Sequence, residues 1–76
     1  MDEAMIMRII AEQLRISPDE IKEETTFSDL GADSLDLFQI ISALEEAFHM
    51  EFDNDEAEKI STIGDVMTYI RNVVGN

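Results

Sequence analysis

Ser34 is a candidate nucleophile by its residue type, and His49 is the single histidine that could serve as its base. Both lie in one predicted helix, fifteen residues apart, which places them about 22 Å apart at ~1.5 Å per residue. A serine nucleophile needs its base within hydrogen-bonding reach, so this separation excludes a catalytic Ser-His pair within one chain. His49 is more simply explained as a surface residue near a helix C-terminus. The chain is therefore not expected to be an enzyme, and Ser34 is expected to be modified by another protein.

Asp33 is the expected cap of that helix, and Asp36 lies in its first turn, where the positive end of the helix dipole favours acids. Ser34 follows Asp33 at the predicted start of the helix, a common position for a serine that serves only as a cap or first-turn residue. The same position also suits a phosphate attached to the hydroxyl, because helix N-termini present backbone N–H groups and a positive dipole end. Both interpretations are open from position alone.

The segment Asp53-Asn54-Asp55-Glu56 resembles the start of a calcium-binding loop, but Ala57 and Glu58 stand where a further ligand and a glycine are needed. The sequence has no cysteine and a single histidine, and no glycine-rich phosphate loop. We therefore expect no metal site.

Composition narrows the possible partners. The 76 residues carry eighteen acidic and five basic side chains, a net charge of −13, while 45% of residues are hydrophobic. Such a charge makes nucleic acid and anionic membranes poor ligands and favours partners with basic surfaces. The length predicts a single domain over residues 1–76, and no apolar run is long enough to insert in a membrane. A cytoplasmic location and a monomer are expected, with a folded but marginally stable core.

Apolar spacing of three and four residues predicts helices over about 3–15, 33–50 and from 62 onward, with a short helix from 53 to about 60. Ser17, followed by Pro18 and with Glu20 three residues on, predicts one capped turn. Thr62, with Asp65 three residues on, predicts the capped start of the last helix. Between them, residues 22–33 form a loop that Phe27 and Leu30 attach to the core. The predicted fold is all-α, a four-helix bundle of three longer helices and one short one.

The second helix has an apolar side chain on the face that should contact water. Its core face is formed by Leu37, Ile40, Ile41, Leu44 and Phe48, and the last helix has a stripe of Ile63, Val66, Met67, Ile70 and Val74. Leu35 points the other way, and Phe38 lies on the boundary. A lone exposed leucine is ordinary. Leu35 is also surrounded by Asp36, Gln39, Glu45 and Glu46, the layout of an apolar anchor for a basic partner.

The residues around Ser34 read Asp29-Leu30-Gly31-Ala32-Asp33-Ser34-Leu35-Asp36. This motif resembles the prosthetic-group attachment site of the acyl carrier protein family. Residues 43–48 are similar to the family's second helix, and residues 57–63 to its third helix and the entry to the fourth. Resemblance covers essentially the whole chain. It implies the same four-helix fold and a 4′-phosphopantetheine arm, taken from coenzyme A and attached to Ser34.

The resemblance also implies partners and a role. Asp33 and Asp36 would meet a basic holo-acyl-carrier-protein synthase, and Leu35, Glu45 and Glu46 would belong to the surface read by fatty acid synthesis enzymes. Gln39 stands where the family commonly has glutamate, and Ser42 where it often has an apolar residue. Acyl chains would be held as thioesters on the arm and lodge between the helices.

Two alternatives stay open at this point. The first is a stand-alone carrier for polyketide, peptide or other specialised metabolism. The second is an acidic helical interaction module that never carries a cofactor.

Overall fold

In a computed structural model that describes residues 2–75, the chain folds into four α-helices. They are α1 (Glu3–Leu14), α2 (Ser34–Phe48), α3 (Asn54–Glu58) and α4 (Ile63–Val74), with a 3-10 turn at Pro18–Glu20. No strand is present in the described residues, where the β-type pairing is an isolated bridge between Thr26 and Thr62. The all-α prediction is confirmed. The helices end slightly earlier than predicted, at residues 14, 48 and 58.

Side-chain caps determine where the helices begin. Asp2, Asp33, Asp53 and Thr62 each accept a hydrogen bond from a backbone N–H in the first turn of α1, α2, α3 and α4. Such caps satisfy N–H groups that have no partner within the helix. Helix α4 and the 3-10 turn have reciprocal capping boxes, as the sequence pattern predicts.

The core lies between α1, α2 and α4. Its fully buried side chains are Ile6, Ile10, Ile40, Leu44, Ile63, Val66, Met67 and Ile70. Leu37 and Phe48 are half-buried against this cluster. The predicted stripe of α4 is confirmed except at its end, because the last turn extends past the core and leaves Val74 41% exposed.

Residues 22–33 are attached to the bundle by backbone hydrogen bonds and by Phe27, which is buried. The N–H of Phe27 donates to the carbonyl oxygen of Ser61 at 3.0 Å, and the N–H of Gly64 donates to that of Glu23 at 2.8 Å. A side chain at position 64 would place its Cβ 3.1 Å from the Glu23 oxygen, so glycine permits this close approach. Leu30 packs partly against the core, as predicted. The loop therefore presents the start of α2 in a fixed position.

Candidate functional site

Ser34 is the first residue of α2, and its side chain is exposed. The chain reaches it through a tight turn in which the N–H of Gly31 donates to Ser28 and the N–H of Ala32 donates to Phe27, both at 3.0 Å. Gly31 has a φ of 76°, a conformation that favours glycine. The turn leaves the Ser34 hydroxyl at the surface, where an enzyme can reach it.

Asp33, and not Ser34, is the cap of α2. The N–H of Asp36 donates to Oδ1 of Asp33 at 2.9 Å, and the N–H of Asp33 donates to Oδ2 of Asp36 at 3.1 Å. Each carboxylate thus satisfies one backbone donor at the positive end of the helix. The capping role that position alone allowed for Ser34 is filled by its neighbour, which leaves the hydroxyl available for modification.

His49 lies at the opposite end of α2, where it is the C-terminal cap with a left-handed backbone (φ 54°) and an exposed side chain. Ser34 and His49 are therefore separated by the full length of the helix. The prediction of a surface histidine near a helix C-terminus is confirmed.

An open groove of about 590 Å³ begins at Ser34 and runs between α2 and α3. Its apolar lining comes from Leu37, Phe38, Ile41 and Ala57. Phe38 was predicted at the boundary of the core, but its side chain is 66% exposed. An apolar groove beside an exposed hydroxyl can receive an apolar chain tethered to that hydroxyl.

Two polar contacts at the start of α3 were not predictable from the sequence pattern. The N–H of Phe52 donates to Oε2 of Glu45 at 2.8 Å, and the N–H of Asp53 donates to the hydroxyl of Tyr69, also at 2.8 Å. The rings of Phe52 and Tyr69 stack with centroids 4.6 Å apart. Since α3 has no buried residue, these contacts are important for holding the helix against the bundle.

The outward face of α2 carries Leu35, which is 62% exposed, together with the exposed side chains of Gln39, Ser42 and Glu46. Asp36 and Glu45, which the sequence places beside this face, are half-buried. Both also accept backbone hydrogen bonds. Leu35 is thus an apolar side chain at the surface among polar and acidic ones.

Asp65, in the first turn of α4, has a pKa below its ordinary value of 3.8. The main cause is a hydrogen bond from the backbone N–H of Thr62, followed by one from the N–H of Ser61, both to Oδ2 at 2.9 Å. These bonds favour the charged carboxylate. They also fix the junction at which the loop after α1 meets α4.

Within residues 2–75, no group of three or more side chains is arranged to hold a metal ion. In the same part of the chain, no helix is both long enough and apolar enough to cross a membrane.

The fold and the site together describe a small acidic four-helix protein with an exposed serine hydroxyl at the start of α2. Residues 5–70 match the family model described as "Phosphopantetheine attachment site".

Proteins that are similar to this chain in sequence or in structure are named acyl carrier proteins. An acyl carrier protein of Wolinella succinogenes is 53% identical over 66 residues, covering 86% of this chain and 87% of that one. Another, of Clostridium acetobutylicum, is 56% identical over 64 residues, with 83% of each chain covered. The structure of a putative acyl carrier protein from Mycobacterium tuberculosis superposes with a TM-score of 0.81 at 39% identity, covering 87% of this chain and 89% of that one.

The chain therefore belongs to the acyl carrier protein family. Its cofactor is 4′-phosphopantetheine, and it is a carrier for fatty acid synthesis and not an enzyme. Membership of a family with a phosphopantetheine attachment site excludes an acidic module that never carries a cofactor.

Proposed function

We propose that the Ser34 hydroxyl is the point of attachment of 4′-phosphopantetheine. The supporting observation is its position: an exposed oxygen on the first residue of α2, not used as the cap and lying at one end of an apolar groove. The residues fit the group, because the hydroxyl is accessible and the groove offers an apolar path for what the arm carries. When bound, the arm supplies a terminal thiol that holds acyl groups as thioesters.

In the attachment reaction this chain contributes only the oxygen. The Ser34 Oγ forms a bond to the phosphorus next to the pantetheine of coenzyme A, and the bond from that phosphorus to the bridging oxygen breaks, releasing the nucleotide part. The Ser34 proton must go to a base of the holo-acyl-carrier-protein synthase, which also supplies Mg²⁺. His49 cannot accept it, because it caps the other end of α2.

The test is the intact mass of the protein after incubation with coenzyme A, Mg²⁺ and a holo-acyl-carrier-protein synthase. Wild type should gain one phosphopantetheine, and Ser34→Ala should gain none. Ser42→Ala is the matched control, because Ser42 is another exposed serine on the same helix. A wild-type mass that does not change, or a Ser34→Ala protein that is still modified, would refute the assignment.

We further propose that the outward face of α2 is where partner enzymes bind. Leu35 provides the apolar anchor, and Asp33, Asp36, Gln39, Glu45 and Glu46 form the polar rim. At a net charge of −13, the chain attracts enzymes with basic docking surfaces over long distances. A small anchor within a charged rim gives fast encounter and modest affinity, which suits a carrier that must leave each enzyme after one reaction.

The groove between α2 and α3 is proposed to hold the acyl chain. Leu37, Ile41 and Ala57 provide apolar surface along it, and each methylene that leaves water contributes up to ~0.8 kcal/mol. We also propose that residues 1–76 act as one carrier domain in the cytoplasm. The protein is proposed to be a monomer, because like charges make close self-association costly.

A further inference from the structure

Phe38 is the most exposed of the large hydrophobic side chains in the described residues, at 66%. It lines the groove that begins at Ser34, whereas Leu35 does not. An aromatic ring left largely in water at the edge of a groove is available to an apolar ligand.

Ser34 and Phe38 are four residues apart in α2, so they are neighbours on the same side of the helix. Such pairs have their Cβ atoms about 5–6 Å apart. Helical side chains also lean toward the N-terminus of their helix, which directs Phe38 back over the turn that begins with Ser34. A group attached to the Ser34 oxygen that turns along α2 into the groove therefore has the Phe38 ring within its reach.

The negative charges near Ser34 favour a path of the attached arm toward Phe38. The carboxylates of Asp33 and Asp36 are held at the start of α2 by their reciprocal hydrogen bonds. A phosphodiester on Ser34 is negative and is repelled by both. The arm is therefore expected to turn away from these two carboxylates and toward the groove, whose lining is mostly apolar, with Phe38 among it and Glu58 as its one acid.

The arm has one strongly apolar block close to its phosphate, the quaternary carbon of the pantoyl group with its two methyl groups. Beyond it the arm carries a hydroxyl and two amides, which prefer water. We propose that the Phe38 ring is the resting contact for these two methyl groups and directs the arm into the mouth of the groove. This inference rests on the proposed attachment at Ser34. A single ring face is a small apolar contact, so an enzyme can draw the arm away.

The experiment is NMR of the protein loaded with isotopically labelled phosphopantetheine, after intact mass has shown complete loading. We expect nuclear Overhauser contacts between the Phe38 ring protons and the pantoyl methyl protons. A displacement of the methyl resonances from their positions in coenzyme A is also expected, because the ring lies close to them. Phe38→Ala should lose the contacts and return the resonances toward the coenzyme A values.

Val73→Ala is the control, because Val73 is also an exposed apolar side chain but lies on α4, outside the groove and outside the proposed partner-binding face. It should leave contacts and resonances unchanged. Methyl resonances that equal those of coenzyme A in the loaded wild type, or that move with Val73→Ala and not with Phe38→Ala, would overturn the inference while leaving attachment at Ser34 intact. Failure of the wild type to load would overturn both.

Discussion

Acylation should raise the thermal stability of the protein in proportion to chain length until the groove is filled. Two forms of the protein are compared, with the arm carrying a saturated acyl group of four or of eight carbons. A buried methylene contributes about 0.8 kcal/mol, and we take half of that, ~0.4 kcal/mol, because the groove is open on one side. Four further methylenes then stabilise the folded state by about 1.6 kcal/mol. For a chain of this size, that corresponds to a rise in Tm of roughly 6–13 °C.

The assay is thermal unfolding followed by circular dichroism, with loading confirmed by intact mass. Two variants identify the groove. Ala57 and Ala43 are half-buried helical alanines that line different grooves, the first between α2 and α3 and the second between α1 and α2. Ala57→Gln places a polar group among the methylenes and should reduce the dependence of Tm on chain length, whereas Ala43→Gln should not.

Equal Tm values for the four-carbon and eight-carbon forms would show that the chain stays in water. An equal loss of length dependence in both alanine variants would show that the chain is held elsewhere.

The remaining predictions concern stability. Asp65→Asn removes a carboxylate whose pKa is lowered from 3.8, so its stabilising effect is complete above pH 3.8 and is lost as pH falls through the folded pKa. The free energy of unfolding is measured in urea at several pH values for wild type and Asp65→Asn. Wild type should be more stable, and the difference should shrink below pH 3.8. A difference that stays constant with pH would contradict the stabilising role of the Asp65 carboxylate. Glu45→Ala leaves the Phe52 N–H without its acceptor and should cost about 1.5–3 kcal/mol. Glu46 is exposed, so Glu46→Ala should change the free energy of unfolding by no more than ~0.5 kcal/mol. Equal losses of unfolding free energy in Glu45→Ala and Glu46→Ala would mean that the hydrogen bond to Glu45 contributes nothing.

The helices and their starting points were predictable because their signals are local. Thr62 with Asp65, and Ser17 with Glu20, each form the reciprocal cap that their spacing predicts. The predicted core faces of α2 and α4 lie in the core or, at Leu37 and Phe48, pack half-buried against it, whereas Val74 is exposed. Exposure at the end of a helix depends on whether another element covers it, and spacing along one helix contains no such information.

The site was predictable in part. The motif around Ser34 placed the hydroxyl at the start of α2, where the structure has it. Periodicity also identified Leu35 as exposed. It did not show that Glu45, assigned from the resemblance to a partner surface, also accepts a hydrogen bond from Phe52, seven residues along the chain. Nor did it show that Phe38 projects beside a groove.

Four features could be predicted from the amino-acid sequence alone: the net charge, the helical periodicity, the helix caps and the serine that begins α2. Each depends on composition or on residues within four positions of one another. The position of α3 against α2 and α4 could be seen only in the tertiary structure, where contacts of Tyr69, Phe52 and Glu45 hold it. That position in turn forms the groove at Ser34. A groove is the space between elements that are distant in sequence. Its shape depends on their relative positions, which are set by packing of the whole chain.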